Sequence, residues 1–202
     1  MPPHPSAADI IALYQRHADK WDQDRGKTLF ERPWLDRFST ALAPGLPILD
    51  LGCGSGEPMA RYLVDQGHAV MGVDTSPGAI DLCRRRFPDQ RWLVADMRTL
   101  ALPDRFGGIV AWHSFFHLTP DDQRAMFPIS ARHAAPGAAV MFTSGPEHGE
   151  RIGEYHGDPL YHASLAPAEY EALLAANGFR VLSYVPEDAT CGGATVWLTK
   201  FK

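Results

Sequence analysis

Two spacings of apolar residues divide the chain. Up to about residue 45 the apolar positions recur every three or four residues, and they predict amphipathic helices over residues 7–19 and 29–42. Ser6 stands where an N-cap of the first helix is expected. Beyond Pro47 short continuous apolar runs follow, which are typical of buried parallel strands. The sequence therefore predicts N-terminal helices that precede a sheet.

The rest of the chain alternates strands with helices, which is the order of an α/β fold. The predicted strands are residues 48–51, 69–73, 91–95, 109–112, 138–143, 180–185 and 195–200. The predicted helices are residues 58–66, 77–87, 120–133 with a kink at Pro128, and 167–177 with Gly178 as a C-terminal cap. Residues 144–164 show no periodicity and follow the carboxyl end of a strand, so they are predicted to form a substrate loop.

Composition limits the classes of partner. A chain of 202 residues with 45% apolar residues suits one globular domain, and its net charge of −5 gives no general attraction for nucleic acid. Arg84, Arg85 and Arg86 are interpreted as a solvated helix end. There is no leader-like segment, no apolar run of membrane length and no Cys pair at metal spacing. We expect a cytoplasmic protein without nucleic-acid or membrane partners.

A glycine-rich turn, ILDLGCGSGEP, joins the first predicted strand to a helix. Gly52, Gly54 and Gly56 suit a backbone with positive φ that lies against a ligand, and the helix N-terminus can receive an anion such as a carboxylate. A dinucleotide-binding GxGxxG turn would need glycine at position 57, where this chain has Glu57. Because that carboxylate would repel a pyrophosphate, a ligand without phosphates is favoured.

Two aspartates follow at the ends of the next two strands. Asp74 ends the segment GVD, where a carboxylate can accept both hydroxyls of a ribose. Asp96 ends the segment VAD beside the same crevice, where it can accept from an adenine amine while Met97 flanks the ring. Adenosine without a diphosphate is the ligand that these positions predict.

The segments DLGCGSGEP, GVDTSPGAI, VADMRTL and PGAAVMFTS, within residues 46–145, resemble the class I S-adenosylmethionine-dependent methyltransferases in order and spacing. The resemblance implies a Rossmann-like sheet of seven strands in the order 3-2-1-4-5-7-6, the last strand antiparallel, with helices on both faces. It implies S-adenosyl-L-methionine as cofactor and S-adenosyl-L-homocysteine as product. The cofactor-binding residues that it implies are Asp50, Gly52, Gly54, Gly56, Asp74, Thr75, Asp96 and Met97. Gly108 departs from the family, which frequently has aspartate there.

The resemblance also implies a single methyltransferase domain in three parts. Residues 1–45 would form lid helices, residues 46–145 the cofactor-binding core, and residues 146–202 the substrate loop and final strands. In the lid segment YQRHADKWDQDR, Tyr14, Trp21 and Arg25 are expected to close over the methionine end of the cofactor. Alternatively, the two aromatic side chains form the apolar face of a docking helix.

The segment AWHSFFHLT leaves the fourth strand opposite the glycine turn. Trp112 is expected to face the cofactor's sulfonium end, and His113 to contact the substrate or act as a base, since a neutral imidazole can take a proton. His117 is a second catalytic candidate, although a histidine at this place in the family often packs structurally. Phe116, with Tyr161 and His162 from the predicted loop, is assigned to the substrate pocket.

The function predicted is transfer of a methyl group to an oxygen, nitrogen or sulfur atom of a small molecule, by a monomer or homodimer. No metal is expected, because the histidines lack HxH or HExxH spacing. Two alternatives stay open at this point. One is a methyltransferase of a protein or RNA that works with a partner subunit, and the other is a non-catalytic S-adenosylmethionine-binding module.

Overall fold

The computed structural model describes residues 4–202, apart from the side chain of Asp19. The predicted first helix is two helices, α1 (Ser6–Arg16) and α2 (Ala18–Asp24), which separate at His17. Ser6 is not the N-cap, because α1 begins one residue earlier than predicted and Pro5 holds that position. The Ser6 hydroxyl instead lies 2.8 Å from Nδ1 of His4.

The remaining elements agree with the predicted ones within a few residues, except between residues 144 and 164. The further helices are α3 (Arg32–Ala41), α4 (Met59–Asp65), α5 (Pro77–Arg86), α6 (Pro120–His133) and α7 (Pro167–Ala176). The strands are β1 (Ile48–Leu51), β2 (Val70–Asp74), β3 (Arg91–Val94), β4 (Phe106–Ala111), β5 (Ala134–Ser144), β6 (Gly149–Tyr155), β7 (Asp158–Ser164), β8 (Phe179–Asp188) and β9 (Ala194–Phe201). Across residues 4–202, no helix has the length and apolar character that crossing a membrane requires.

Seven strands form one sheet in the order β3-β2-β1-β4-β5-β9-β8. The first five are parallel, and β9 runs antiparallel to both β5 and β8. Numbered within this sheet alone, the order is 3-2-1-4-5-7-6, so the predicted Rossmann-like topology is confirmed. The direction of winding reverses between β1 and β4, and the crevice above the carboxyl ends at such a point is where α/β sheets bind ligands.

Helices cover both faces of the sheet and create two apolar cores. Trp34 and Phe38 of α3 pack with Ile80 of α5 on one face. Phe127 of α6 and Tyr170 of α7 pack on the other. Burial on both faces is why the central strands are almost continuously apolar.

The departure from the family at Gly108 has a steric cause. An added Cβ there would lie 2.2 Å from Cδ2 of Leu42 and 2.7 Å from Cζ of Phe38. The C-terminal part of α3 and the residue after it thus occupy the space that a side chain on β4 would need. A larger residue at this position would push α3 away from the sheet.

The prediction of an irregular loop over residues 144–164 is wrong. Strands β6 and β7 pair as an antiparallel hairpin, and the two turn residues, His156 and Gly157, have φ of 50° and 88°. Two residues of positive φ are typical of a type I′ hairpin turn. Most of β6 is exposed, so it lacks the alternation of apolar and polar residues that normally reveals a strand.

The hairpin packs against the first helix of the chain. Tyr161 and Ala163 of β7 form a small apolar cluster with Ala7 and Ile10 of α1. This cluster is separate from the two cores that cover the sheet. The N-terminal helices therefore rest on a segment about 150 residues later in the sequence.

Candidate active site

The main cavity lies above the carboxyl ends of β1, β2 and β4, beneath α1 and α2. It holds about 1270 Å³ of unfilled space, a volume that includes the solvent at its open mouth. Most of the predicted site residues line it: Tyr14, Trp21, Arg25, Asp50, Gly52, Gly54, Asp74, Thr75, Asp96, Met97, Trp112, His113 and His117. Four predicted residues are not among its walls: Gly56, Phe116, Tyr161 and His162.

The glycine turn forms the floor of the cavity. Gly52 has φ of 75°, and an added Cβ would lie 2.3 Å from Cβ of Ser114. Gly54 has φ of 54° and also faces the cavity. Gly56 serves a different purpose, because an added Cβ there would lie 2.8 Å from the ring of Phe87 at the end of α5. Gly52 and Gly54 thus line the cavity, with Ser114 packed closely against Gly52, and Gly56 allows helix packing.

Asp50, at the end of β1, is a buried carboxylate on the cavity wall. It is 3% exposed and receives no hydrogen bond from the described part of the chain. Burial, together with the charge of Asp74, raises the pKa of Asp50 to about 7. A buried carboxylate without a partner is costly, and a cationic ligand group beside it would remove that cost. Asp50 therefore makes this end of the cavity selective for positive charge.

Asp74, at the end of β2, is held rigidly by backbone donors. Its Oδ2 accepts from the amide of Gly54 at 2.9 Å and its Oδ1 from the amide of Ser76 at 2.8 Å. Burial raises the pKa of Asp74 although these hydrogen bonds act to lower it. Each carboxylate oxygen keeps a lone pair for a ligand hydroxyl. The adjacent Thr75 accepts from the side chain of Gln15 at 3.1 Å, which connects this wall to α1.

Asp96 is already engaged by an arginine that the sequence interpretation missed. Nη2 of Arg98 donates to Asp96 at 2.6 Å, and Nη1 donates to Asp122 at 3.3 Å. Burial acts to raise the pKa of Asp96, but the hydrogen bonds from Arg98 hold it below its usual value. Both Arg98 and Asp122 line the cavity. An adenine amine would therefore share the Asp96 carboxylate with Arg98.

Glu57 lines the cavity, but its charge is balanced. Nη2 of Arg61 donates to the Glu57 carboxylate at 2.8 Å, one helical turn further on. The repulsion of a pyrophosphate that the sequence suggested is therefore weaker than an unpaired carboxylate would give.

His113 has a strained backbone and an unpaired ring. Its φ is 51°, and its amide donates to Oγ1 of Thr143 at 2.9 Å. The imidazole lies between Trp112 and Phe116, with ring centroids 5.3 and 5.7 Å away, and has no hydrogen-bond partner in the described chain. Burial, and to a lesser extent the charge of Arg25, lowers the pKa of His113 to about 4. A non-glycine residue with positive φ is often found at a functional site, and here it presents a neutral imidazole.

His117 does not have the free nitrogen that a base requires. Its Nε2 lies 2.7 Å from Oη of Tyr14, and its Nδ1 lies 2.8 Å from the carbonyl oxygen of Tyr161. Burial lowers the pKa of His117 to about 3. The geometry favours the structural alternative for this residue over the catalytic one.

The three residues expected in the substrate pocket lie behind the cavity wall. Tyr161 is fully buried against α1, and its hydroxyl donates to Glu150 at 2.7 Å. Phe116 and His162 contact each other with ring centroids 5.3 Å apart and pack around His117. Tyr161 and His162 lie there because residues 144–164 form a hairpin that supports α1. No three His, Cys, Asp or Glu side chains of residues 4–202 are grouped to hold a metal ion.

The predicted lid residues do reach the cavity from α1 and α2. Tyr14 and Trp21 meet edge to face with centroids 5.2 Å apart. Arg25 follows α2, and its Nη2 donates to Oε1 of Glu31 at 2.5 Å. Glu31 is fully buried, so it restricts where the Arg25 guanidinium can lie. Glu31 was not predicted, because its role depends on a contact that the sequence does not reveal.

Three polar contacts to carboxylates hold α1 and α2, which we call the lid, to the hairpin. We call this group of contacts the latch. Asp158 accepts from Arg16 and from His17, each at 2.8 Å. Asp24 pairs with His156 at 2.7 Å. The latch joins both helices of the lid to the tip of the hairpin.

A further clamp joins α2 to α5. Both terminal nitrogens of Arg86 donate to the Asp22 carboxylate at 2.6 Å, and they lower the pKa of Asp22 to about 2. Arg86 was interpreted as part of a solvated helix end, and for this residue that interpretation is wrong. Its partner lies 64 residues earlier in the chain, so only the fold reveals the pair.

The amino-acid sequence is similar to those of known enzymes. A methyltransferase-domain family model matches residues 48–137. Trans-aconitate 2-methyltransferase of Methylobacterium nodulans is 32% identical over 184 residues, which cover 84% of this chain and 67% of that protein. The chain belongs to the S-adenosylmethionine-dependent methyltransferases. An O-methyltransferase of Pyrenophora dematioidea is 26% identical and is matched over 90% of this chain and 79% of its own length.

Solved structures share the fold of this methyltransferase. The 1,6-didemethyltoxoflavin-N1-methyltransferase of Burkholderia thailandensis gives a TM-score of 0.74 at 21% identity, over 100% of this chain and 91% of that one. The CcbJ methyltransferase of Streptomyces caelestis gives 0.73 at 19% identity, over 92% and 96%. At these identities the likeness concerns the fold, and it agrees with the class I topology expected from the sequence motifs.

Proposed function

We propose that this methyltransferase transfers the methyl group of S-adenosylmethionine to an oxygen or nitrogen atom of a small molecule. The observation that carries the proposal is the occurrence, in one lidded cavity, of the unpaired Asp50 carboxylate and the unpaired neutral imidazole of His113. The first suits a cationic cofactor, and the second suits an acceptor that gives up a proton. The names of the relatives, which include a trans-aconitate 2-methyltransferase and a didemethyltoxoflavin N1-methyltransferase, support a small acceptor.

The end of the cavity around the glycine turn fits the amino-acid end of the cofactor. Asp50 would accept from the ammonium group, which compensates a carboxylate that is otherwise buried without a partner. Gly54 leaves space that a Cβ would fill, and the absence of a Cβ on Gly52 lets Ser114 approach the turn, so the backbone of the turn can lie against the ligand. Arg25, fixed by Glu31, would pair with the carboxylate of the cofactor.

The far end of the cavity fits the adenosine. Asp74 would accept from the ribose hydroxyls beside Thr75, since backbone amides already fix the orientation of its carboxylate. Asp96 would accept from the adenine amine while Met97 lies against the ring, and Trp112 forms part of the wall. These assignments rest on the positions of the side chains around the cavity.

The chain's own contribution to the reaction is chiefly alignment. When bound, S-adenosylmethionine supplies an electrophilic methyl group on a sulfonium, and the electrons of the broken carbon–sulfur bond stay on sulfur. Holding two reactants in line can remove about 7 to 11 kcal/mol from a barrier. His113 would accept a hydrogen bond from the acceptor's O–H or N–H and take the proton as that atom forms its new bond to carbon. Tyr14 and Trp21 of the lid would exclude water.

The test has two stages. Isothermal titration calorimetry of the purified protein with S-adenosylmethionine, S-adenosylhomocysteine and NAD should show binding of the first two only. A panel of small hydroxyl and amine acceptors should then yield products heavier by one methyl group in mass spectrometry. Absence of binding by either adenosyl ligand would contradict the proposal. Methylation of a co-purified protein or RNA, with no small acceptor modified, would contradict the assignment of substrate class.

His113→Gln tests the acceptor side of the site. Loss of the imidazole should lower kcat by about 10²- to 10⁴-fold, with little change in KM for S-adenosylmethionine. Because the pKa of His113 is about 4, the imidazole is neutral above that pH, so its protonation should depress the wild-type kcat only near pH 4. His148→Gln, at an exposed position outside the cavity walls, is the matched control. An equal loss of kcat in both variants would remove His113 from the reaction.

A further inference from the structure

A chain of two hydrogen bonds crosses three segments that lie far apart in the sequence. Tyr14 in α1 contacts Nε2 of His117 at 2.7 Å, and Nδ1 of His117 contacts the carbonyl oxygen of Tyr161 in β7 at 2.8 Å. His117 is 8% exposed, and the edge of its ring lies against Tyr14 with centroids 5.2 Å apart. The two hydrogen bonds therefore connect α1 of the lid to the hairpin through His117, in the segment that follows β4.

The direction of each hydrogen bond follows from the groups involved. A carbonyl oxygen can only accept, so Nδ1 of His117 must carry the hydrogen. Burial lowers the pKa of His117 to about 3, so the ring is neutral and Nε2 has no hydrogen. The hydroxyl of Tyr14 is consequently the donor to Nε2.

This arrangement fixes what Tyr14 can offer to a ligand. A phenol has one hydrogen, and His117 uses it, so the oxygen of Tyr14 can only accept from any further group. Burial and the neighbouring charge of Asp74 raise the pKa of Tyr14, which keeps it a neutral phenol. Tyr14 lines the same cavity as Asp50 and Asp74. Tyr14, Asp50 and Asp74 thus present oxygen acceptors to the cavity, and oxygen acceptors favour a positively charged group over a neutral one.

We propose that His117 is a positioning residue that keeps the oxygen of Tyr14 as an obligate acceptor toward the positively charged sulfonium of the cofactor. The protein thereby prefers the charged methyl donor to its neutral product, S-adenosylhomocysteine. The inference rests on the proposed function, because it assumes that S-adenosylmethionine occupies the cavity. It also assigns to the hairpin a role at the site, since the carbonyl of Tyr161 selects the tautomer of His117.

The experiment measures the ratio of two dissociation constants by calorimetry, for S-adenosylhomocysteine and for S-adenosylmethionine. Tyr14→Phe removes only the oxygen, and His117→Phe removes the group that orients its hydrogen. Each should weaken binding of S-adenosylmethionine by about fivefold, because a sulfonium has polarised C–H groups and no N–H or O–H to donate to the Tyr14 oxygen, while binding of S-adenosylhomocysteine changes less than twofold. The double variant should show no larger loss than either single variant.

Two further variants separate positioning from simple packing. In His117→Gln the amide can donate to Tyr161 and accept from Tyr14, so it should retain most of the wild-type ratio. Tyr62→Phe removes the hydroxyl that bonds to Asp36, away from the cavity, and should leave both dissociation constants unchanged.

The outcomes distinguish the inference from the function on which it rests. Failure of the wild-type protein to bind either adenosyl ligand would overturn the proposed function. Binding by the wild type, with both ligands weakened equally in Tyr14→Phe and His117→Phe, would overturn the inference alone. Thermal unfolding monitored by circular dichroism checks that the variants fold. If His117→Phe fails to fold, an unchanged ratio in Tyr14→Phe alone suffices to contradict the inference.

Discussion

The floor and the lid of the cavity are built by different means. The floor, by which we mean Asp50, Gly52, Gly54, Asp74 and Asp96, stands at the carboxyl ends of three neighbouring parallel strands. The hydrogen bonds of the sheet fix the positions of those strand ends. The chemistry of the floor is therefore set within a few residues of each strand.

The lid, formed by α1 and α2, has no such frame. Its position depends on a small apolar cluster with β7, on the latch to the hairpin, and on the pair between Asp22 and Arg86. Most of these contacts join residues more than 60 positions apart. Exposed ion pairs individually contribute little to stability. Substitutions in the floor should therefore have large local effects, whereas substitutions in the lid should reduce function gradually.

The largest effect is expected in the floor at Gly52. Gly52→Ala would place a methyl group 2.3 Å from Cβ of Ser114, in a backbone with φ of 75°. We expect cofactor affinity to fall by at least about 100-fold, because the turn must move for the side chain to fit. Calorimetry and thermal unfolding measure the two consequences.

Gly67→Ala is the matched control for that substitution. Gly67 has φ of 85°, but an added Cβ would meet no atom within 4 Å. Gly67→Ala has the cost of placing a side chain on a residue with positive φ, but it causes no steric clash. Tm should therefore fall while cofactor affinity stays within about threefold of wild type. Similar affinities in the two variants would show that the close approach to Ser114 is unimportant.

Asp50→Asn should lower the affinity for the cofactor but raise the stability of the cofactor-free protein. Without its anionic partner the cofactor's ammonium group should bind about 30-fold or more weakly, as for truncation of one member of a buried charge pair. The folded-state pKa of Asp50 is raised to about 7, so wild-type stability without cofactor should fall as pH rises from about 4 to 7. Removing the charge should therefore raise the Tm of the cofactor-free protein at pH 8 more than at pH 5.

Asp36→Asn provides the comparison for Asp50→Asn. Asp36 is an exposed carboxylate on α3 that contacts Tyr62 and does not line the cavity. Its replacement should change neither cofactor affinity nor the pH dependence of Tm by a comparable amount. A Tm gain in Asp50→Asn that is equal at pH 5 and pH 8 would refute the raised pKa.

The smallest effect is expected from the latch. Replacing Asp24 and Asp158 together by Asn removes both carboxylates that bind the lid to the hairpin. Because these pairs are partly exposed, we expect KM for S-adenosylmethionine to rise only about two- to fivefold. In the wild type, salt at 0.5 M should produce part of the same rise by screening. Proteolysis of α1 in the absence of cofactor should become faster, and an unchanged rate would argue that the apolar cluster alone holds the lid.

Some features could be predicted from the sequence because the interactions that create them are local. The glycines between β1 and α4, and the aspartates that end β2 and β3, lie where strand and helix periodicity put them. Their order and spacing carry the resemblance to the class I methyltransferases, and that resemblance implied the topology of the sheet. The hairpin was not predicted because most residues of β6 are exposed, so β6 lacks the alternation of apolar and polar residues by which a strand is recognised.

The hydrogen bonds between side chains of the site depend on tertiary structure, since their partners meet only when distant segments fold together. Sequence patterns alone were enough to predict the fold class and the cofactor family, and they drew attention to the glycines and aspartates at the strand ends. Only the fold showed that His117 is bound on both sides, that Glu31 fixes Arg25, and that Arg98 engages Asp96. A sequence pattern records which residues are buried and how the backbone turns. Which polar atoms share a hydrogen bond is decided by the packing of the finished structure.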